Sequence, residues 1–291
     1  MGLSQMKSTL LSKLLLFSIV PILGICDDIF TPLKMPAFSP EKASLGMKLY
    51  RDAKFSEQKR SCDSCHNLYL NSSGASVRNG EIPTILNAYY IERYSGGNFF
   101  PSLNERIKTS VLSPKELASS KEKIELIITQ NIAYKREFKK LYGKANFENF
   151  VDALGEYLKS KTTINSKFDR VLRNEEKFSE SEFKGYLLFI ELCSYCHNGA
   201  NLGTNSYAKV PNKNLNFNPN TRISNHRSHT HNYRSHTYKR VPTLRNITKT
   251  APYINGEYSL ARSIKFLFRD VFDYSLDDDD LQNLLDFLAT L

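Results

Sequence analysis

Two short motifs of the same form constrain this chain more than any other feature. Cys62-Asp63-Ser64-Cys65-His66 and Cys193-Ser194-Tyr195-Cys196-His197 each place a histidine directly after a Cys-x-x-Cys pair. This is the pattern of c-type haem attachment, in which two thiols form thioethers to the haem vinyl groups and the next imidazole becomes the proximal iron ligand. The sequence therefore predicts two covalently bound haem c groups. Their protein ligands are Cys62, Cys65, His66, Cys193, Cys196 and His197.

Three other uses of paired cysteines are open to such a chain. Two disulfide bonds suit an exported protein, one zinc site could use both pairs, and a Cys-x-x-Cys redox motif occurs beside a βαβ unit. None of these explains why a histidine follows both pairs, and no βαβ pattern surrounds either motif. The haem interpretation is therefore favoured over all three.

The first 26 residues have the form of an export signal. Lys7 and Lys13 precede an apolar run that is shorter than the roughly 20 residues of a membrane span. Leu23-Gly24-Ile25-Cys26 resembles a bacterial lipobox, in which the cysteine is acylated, although Ile25 replaces the usual small residue. We expect residues 1–26 to be an export or lipoprotein signal and the protein to be periplasmic, either released or anchored to a membrane by lipid on Cys26.

The chain is basic, with a formal net charge of +10. Such a charge fits nucleic acid, an anionic surface or an acidic protein partner. Export leaves little access to cytoplasmic nucleic acid, so we expect no nucleic-acid partner. Tryptophan is absent, so electron transfer through an aromatic side chain would need a different residue.

Helical patterns dominate the chain, and no stretch of alternating β-branched residues is convincing. Apolar residues recur with helical spacing over residues 147–158 and 281–288. We therefore predict a mostly α protein. Capping patterns predict helix starts at Ser39, Ser113, Ser179 and Ser275.

The two halves of the chain repeat each other. Gly46-Met47-Lys48-Leu49-Tyr50 precedes the first cysteine pair, and Gly185-Tyr186-Leu187-Leu188-Phe189 precedes the second. A Pro-Thr turn follows each haem motif, at residues 83–87 and 242–246. This order predicts two cytochrome c-like haem domains that arose by duplication. We place the N-terminal domain at 27–170 and the C-terminal domain at 171–291.

These features together resemble the bacterial dihaem cytochrome c peroxidases and their relatives, the methylamine-utilisation dihaem enzymes. The resemblance implies that the N-terminal haem binds and cleaves hydrogen peroxide, and that the C-terminal haem takes electrons from a small cytochrome c or copper protein. The matching segments are Leu45 to Phe55, Cys62 to Leu70, Pro83 to Ala88, Phe168 to Arg170, Cys193 to Gly203 and Val241 to Tyr253.

The resemblance thus implies an oxidoreductase that reduces hydrogen peroxide to water. Two alternatives stay open. The first is an enzyme of the methylamine-utilisation type, which oxidises a protein substrate. The second is a dihaem electron carrier or redox sensor without turnover. A homodimer is a further expectation.

Two catalytic residues follow from the same resemblance. Cleavage of the O–O bond requires a group that moves a proton between the two oxygens and a donor for the leaving hydroxide. Alignment through Leu103 and Leu117 assigns Glu116 to the first role and places Arg106 where the family has a glutamine. Ser113-Pro114-Lys115-Glu116 is also a capping pattern, so the residues alone leave a structural role for Glu116 open.

The residues expected on the distal side of each haem, opposite the proximal histidine, differ from those of the family. Many members block the resting N-terminal iron with a histidine, but residues 67–83 contain none, so we expect this iron to be open or water-bound. Leu267 stands where peroxidases carry the methionine ligand of the C-terminal haem. We therefore expect a lower reduction potential for the C-terminal haem. Because a tyrosine is the distal ligand in the methylamine-utilisation relatives, the resemblance makes Tyr253, Tyr258 and Tyr274 the candidate ligands.

Further assignments rest on the family as well. Tyr94 falls near the position of the missing tryptophan between the haems and is the candidate electron carrier. Asn87, Thr250 and Pro252 match residues that hold a calcium ion, whose hard-cation chemistry suits oxygen ligands, although Asn87 could equally cap a turn. Arg245 is expected to pair with a haem propionate.

Four histidines lie together in one polar, basic stretch of the C-terminal half. We favour a solvated loop there over an axial ligand or a metal or partner contact. They are His226, His229, His231 and His236.

Overall fold

Helices account for most of the chain that the structure describes, as the sequence predicts. The computed structural model describes residues 29–67, 82–91, 93, 100–211, 236–254 and 259–291. The α-helices are α1 (Pro40–Arg51), α2 (Leu103–Leu112), α3 (Lys121–Gln130), α4 (Ile132–Tyr142), α5 (Phe147–Lys159), α6 (Lys167–Leu172), α7 (Glu180–Leu192), α8 (Leu260–Phe266) and α9 (Asp278–Leu288). Short 3₁₀ turns lie at Ala53–Phe55, Cys62–Ser64, Ala88–Tyr90 and Ile247–Lys249, and a π-helical turn at Leu267–Val271 follows α8 directly. No helix within these described ranges is long and apolar enough to cross a membrane.

The first core forms where α1 crosses α5. A Cβ atom on Gly46 would lie 1.9 Å from the carbonyl oxygen of Ala153, so glycine is what lets the two backbones approach this closely. The helices α2, α3 and α4 complete the cluster, in which Phe138 and Phe150 are buried. Cys62 packs against the same cluster, so the crossing supports the first haem motif.

The second core repeats this arrangement with α7 and α9. A Cβ atom on Gly185 would lie 1.9 Å from the carbonyl oxygen of Asn283. Phe189 and Phe287, with ring centroids 5.0 Å apart, fill the space beside the crossing. Cys193 packs against this second cluster. The internal repeat is therefore confirmed as two helix crossings of the same form, each beside a haem motif.

Residues near the predicted boundary between the two halves pack with the second core, and the boundary itself stays a prediction. Phe30 and Phe168 meet edge to face with centroids 5.6 Å apart, and both belong to the second core. Because residue 30 precedes α1, the start of the described chain packs with the second half. The predicted boundary between residues 170 and 171 falls inside α6, whose Phe168 is buried in the second core. Single buried rings such as Phe30 and Phe168 leave no periodic signal in the sequence.

Two of the four predicted helix starts are confirmed. Ser39 caps α1, accepting a hydrogen bond from the Lys42 amide, and Ser179 forms a capping box with Glu182 at the start of α7. At α9 the cap is Asp277 rather than Ser275, because the Asp277 carboxylate accepts from the amide of residue 280.

The predicted start at Ser113 is wrong. Ser113 follows the last residue of α2, and the chain then turns back instead of beginning a helix. The amide of Ala118 donates to the Ser113 carbonyl at 2.8 Å, and the amide of Ser119 donates to the Val111 carbonyl at 3.0 Å. Burial of Leu117 against the first core favours this turn over a helix.

Among the described residues one two-stranded antiparallel sheet lies in the C-terminal half, where no strand was predicted. Strands β1 (Tyr207–Pro211) and β2 (His236–Arg240) pair from Tyr207 opposite Arg240 to Pro211 opposite His236. His236 therefore belongs to a strand and not to a loop, which corrects the prediction at that residue. The predictions for His226, His229 and His231 lie outside the described residues.

Candidate functional site

The first haem motif is folded as a tight turn. Residues Cys62–Ser64 form a 3₁₀ turn with Ser61 as its cap, and the His66 amide donates to the Cys62 carbonyl at 2.8 Å. The Nδ1 atom of His66 lies 2.8 Å from the Pro83 carbonyl, so it carries the proton and leaves Nε2 for a metal. Burial lowers the pKa of His66, which favours the neutral ring that binds iron.

The second motif is built in the same way at the end of α7. The His197 amide donates to the Cys193 carbonyl at 2.9 Å. The Nδ1 atom of His197 lies 3.1 Å from the Leu202 carbonyl, and burial lowers the pKa of this imidazole as well. Gly203 makes room for the Pro-Thr turn, because a Cβ there would lie 2.1 Å from the Pro242 carbonyl oxygen. Both motifs thus present an oriented imidazole beside two thiols.

The positions of the four motif cysteines bear on the three alternatives to haem attachment. All four are free thiols, so the described chain has no disulfide bond between them. Cys62 packs in the first core and Cys193 in the second, which contradicts a single zinc site shared by both pairs. Burial raises the pKa of Cys62 and of Cys193 to about 12, so neither is a reactive thiolate of the redox-motif type.

The predicted pair Arg106 and Glu116 meets beside the first motif. Nη2 of Arg106 lies 3.3 Å from Oε1 of Glu116. The charge of Glu116 raises the pKa of His66 and that of Arg106 lowers it, so both lie within electrostatic reach of this imidazole. The Glu116 side chain is 41% exposed and can be reached from solvent. Since no helix begins at Ser113, the capping role for Glu116 is wrong.

One residue of this group was missed by the sequence analysis. The hydroxyl of Ser110 donates to Oε2 of Glu116 and accepts from Nη1 of Arg106. The only sequence signal was its position four residues after Arg106, which places both on one face of α2. The group therefore contains three side chains and not two.

Arg245, which the resemblance assigns to a haem propionate, pairs with a protein carboxylate in the described structure. Its Nη1 lies 2.8 Å from Oδ1 of Asp169, and the two side chains are 1% and 0% exposed. Further hydrogen bonds run from Nε to the Ala200 carbonyl, from Nη1 to the Ser166 hydroxyl and from Nη2 to the Thr31 carbonyl. Protein groups thus take up most of the guanidinium donors, and Arg245 connects the N-terminal segment, α6 and the second Pro-Thr turn.

The residues assigned to calcium do not fit that ion as they stand. The buried Oδ1 of Asn87 accepts hydrogen bonds from the amide and the hydroxyl of Thr163, at 2.8 and 3.1 Å. A calcium ion would have to displace both bonds. Thr250 and Pro252 lie next to the second Pro-Thr turn, where the Thr250 hydroxyl donates to the Asn246 carbonyl at 3.2 Å. Within the described ranges no group of three or more His, Cys, Asp or Glu side chains is placed to hold a metal.

The candidate distal ligands of the second haem are only partly described. Tyr253 is buried and its hydroxyl donates to the Ile247 carbonyl at 2.7 Å. Tyr274 is 44% exposed and its ring lies 5.8 Å from that of Phe268. Leu267 begins the π-helical turn. Tyr258 and Tyr94 lie outside the described residues, so their roles stay predictions.

Comparison with known proteins finds similar sequences among the di-haem cytochrome c peroxidases. A family model described as di-haem cytochrome c peroxidase matches residues 40–177. The cytochrome c551 peroxidase of Nitrosomonas europaea is 29% identical over 283 residues, which cover 89% of this chain and 83% of that protein. The cytochrome c peroxidase Ccp of Escherichia coli K12 is 30% identical over 281 residues, which cover 89% of this chain but only 60% of that longer protein.

A solved structure shows the same fold. The crystal structure of a MauG-like protein associated with microbial copper homeostasis superposes with a TM-score of 0.67 at 19% sequence identity. The match covers 90% of this chain and 92% of that one. The mostly α fold predicted from the sequence is therefore confirmed.

Proposed function

Because the chain belongs to the family of di-haem cytochrome c peroxidases, we propose that it reduces hydrogen peroxide to water with electrons from a small cytochrome c or copper protein. Each turnover consumes one peroxide, two electrons and two protons and yields two waters. The contact between Arg106 and Glu116 beside His66 carries this proposal, since it supplies the proton-transfer group and the cation that the reaction requires.

Haem is the cofactor that the family implies, and covalent attachment is part of the proposal. Cys62 and Cys65 would attach the first group and Cys193 and Cys196 the second, with His66 and His197 as proximal ligands. The support is the pair of free, half-buried thiols beside each oriented imidazole. When bound, haem supplies redox-active iron at each of the two sites, which can exchange electrons with peroxide and with the other haem.

Glu116 has the chemistry for the proton step. A carboxylate that reaches the peroxide can take the proton from one peroxide oxygen and return it to the other, which leaves as water. Arg106 can stabilise the negative charge that develops on the leaving oxygen. Its guanidinium lies over the Phe100 ring at 5.8 Å, a contact that keeps it beside Glu116.

Substitution of Glu116 tests the proposal. In Glu116→Gln both haems should remain, while the rate constant for reaction with peroxide falls by about 10² or more, because the amide cannot carry the proton. Stopped-flow mixing of the resting protein with peroxide measures this rate. Glu148→Gln is the matched control, since Glu148 pairs with Lys108 at 2.8 Å on the surface and should react at the unaltered rate. An unaltered rate in Glu116→Gln would refute the assignment.

An enzyme of the methylamine-utilisation type is the second candidate function. Leu267 at the start of the π-helical turn favours it, because this residue cannot serve as the methionine ligand that peroxidases use. Sustained consumption of peroxide with reduced cytochrome c as the sole donor would support the peroxidase. A rapid reaction with peroxide without such turnover would support the second candidate. A carrier or sensor would show neither.

We further propose an exported location, with the donor in the same compartment. The basis is the pattern of residues 1–26 and the cysteine motifs, since haem c attachment takes place outside the cytoplasm. The lipid anchor on Cys26 lies outside the described residues and stays a prediction, as does a homodimer.

A further inference from the structure

Ser110 lies between the two residues that carry the proposed reaction. Its hydroxyl donates to one carboxylate oxygen of Glu116 and accepts from one guanidinium nitrogen of Arg106. The second oxygen of Glu116 meets the other guanidinium nitrogen at 3.3 Å. Ser110 therefore occupies one of the two positions at which Arg106 and Glu116 would otherwise bind each other.

This contact is not what a serine within a helix ordinarily makes. Such hydroxyls turn back to the carbonyl four residues earlier. The neighbouring Thr109 does this, and its hydroxyl donates to the Glu105 carbonyl at 3.0 Å. The Ser110 hydroxyl instead reaches forward to a carboxylate in the turn that follows α2. Its contact therefore needs an explanation beyond helix structure.

The turn that carries Glu116 is held against α2 at several points. The amide of Leu117 donates to the Ser110 carbonyl at 3.4 Å, and the amide of Glu116 donates to the Ser113 carbonyl at 3.0 Å. The side chain of Leu117 is buried in the first core. The backbone of Glu116 is thus fixed, and the remaining freedom lies in where its carboxylate points.

We propose that Ser110 is a positioning residue, which keeps Glu116 available to peroxide by preventing a two-point ion pair with Arg106. An arginine and a carboxylate bind most strongly through two parallel hydrogen bonds. Without the serine hydroxyl both nitrogens of Arg106 can turn to Glu116, and the carboxylate is then held by the cation instead of reaching substrate. This inference rests on the proposed role of Glu116.

A set of variants in the holoprotein tests this. Ser110→Ala should keep both haems and react with peroxide about tenfold more slowly, since both guanidinium nitrogens of Arg106 can then hold the Glu116 carboxylate. Reduction of the second haem by the donor should be unaltered. Ser110→Thr, which retains the hydroxyl, should restore most of the rate, and Thr109→Ala should react like the parent protein.

The double variant separates positioning from a general structural effect. In the Glu116→Gln background, Ser110→Ala should slow the peroxide reaction by less than about twofold, since no ion pair is left to prevent. Equal effects of Ser110→Ala in both backgrounds would overturn the proposal. So would a normal rate in Ser110→Ala while Glu116→Gln is slow. A normal rate in Glu116→Gln alone would refute the proposed role of Glu116, and this inference with it. No reaction of the parent protein with peroxide would refute the proposed function itself.

Discussion

The buried ion pair of Asp169 and Arg245 shows how burial decides the contribution of a single residue to the stability of the protein. Its side chains are 0% and 1% exposed, whereas the ion pair of Glu57 and Lys123, with a similar distance of 2.7 Å, has side chains that are 63% and 26% exposed. The Asp169 carboxylate also accepts from the Leu33 amide at 3.1 Å. Removing it would leave a buried cation and a buried amide without their acceptor.

We therefore predict that Asp169→Ala lowers the free energy of unfolding by about 3–5 kcal/mol. Glu57→Ala is the control, and it should change this free energy by less than about 1 kcal/mol, because water screens exposed pairs. Urea unfolding of both holoproteins, followed by circular dichroism, measures the difference. Equal effects of the two substitutions would contradict the prediction.

How much the sequence could predict about single residues depends on how far apart the interacting residues lie along the chain. The proposed haem ligands of each motif lie within five consecutive residues, and Arg106 and Glu116 are ten residues apart, so spacing and resemblance were enough to propose each group. The partners of Arg245 come from residues 31, 166, 169 and 200. The assignment of Arg245 to a haem propionate stays a prediction, and only the fold could show that Asp169 is its partner within the chain.

At the scale of elements, the two glycines at the helix crossings set the distance between helices. A methyl group at residue 46 would overlap the carbonyl of Ala153, which belongs to the backbone of α5 and cannot move without moving the helix. The neighbouring Ser44 is exposed on the same helix. Residues 44 and 46 therefore share the same helical backbone, but residue 46 packs against α5 and residue 44 is exposed.

Accordingly, Gly46→Ala should destabilise the protein by about 1–3 kcal/mol through overpacking, even though alanine favours the helix. Ser44→Ala should be neutral or slightly stabilising, because it adds helix propensity without a new contact. Thermal unfolding of the two holoproteins under one set of conditions compares them. Stabilisation in both variants would show that α1 and α5 do not approach as described.

Local patterns predicted the elements well where local interactions decide them. Ser39 and Ser179 cap helices because the side chain and the amide it accepts from are three residues apart. The pattern at Ser113 failed because the burial of Leu117, a tertiary contact, favours a turn. The two-stranded sheet was missed because it depends on pairing between residues 207–211 and 236–240, which are far apart in the sequence. Neither strand has a strong alternating pattern of its own.

At the scale of the whole molecule, the repeat extends to the junction between the halves. Asn87 and Asn246 occupy equivalent places in the two Pro-Thr turns and share the left-handed conformation, with φ of 59° and 61°. Their backbone amides donate to the carbonyls of Lys161 and Leu291, which lie just beyond the ends of α5 and α9. Both side chains then meet at Thr163, where Asn246 donates to the hydroxyl at 2.7 Å. One threonine thus joins the two repeated turns, and no sequence pattern marked it.

The charge of the whole molecule leads to a prediction about its electron donor. The formal net charge of +10 would attract an acidic protein over a distance set by the ionic strength. Screening shortens that distance from about 30 Å at 0.01 M salt to about 8 Å at 0.15 M.

We expect the rate constant for reduction by an acidic donor to fall by about tenfold or more over this range of salt, because steering acts on the encounter of the two proteins. The peroxide reaction is the internal control, since hydrogen peroxide is neutral and its encounter is not steered by charge. Stopped-flow measurements of both steps at each salt concentration give the two rates from the same preparation. If the donor step is independent of salt, the positive charge does not guide the donor.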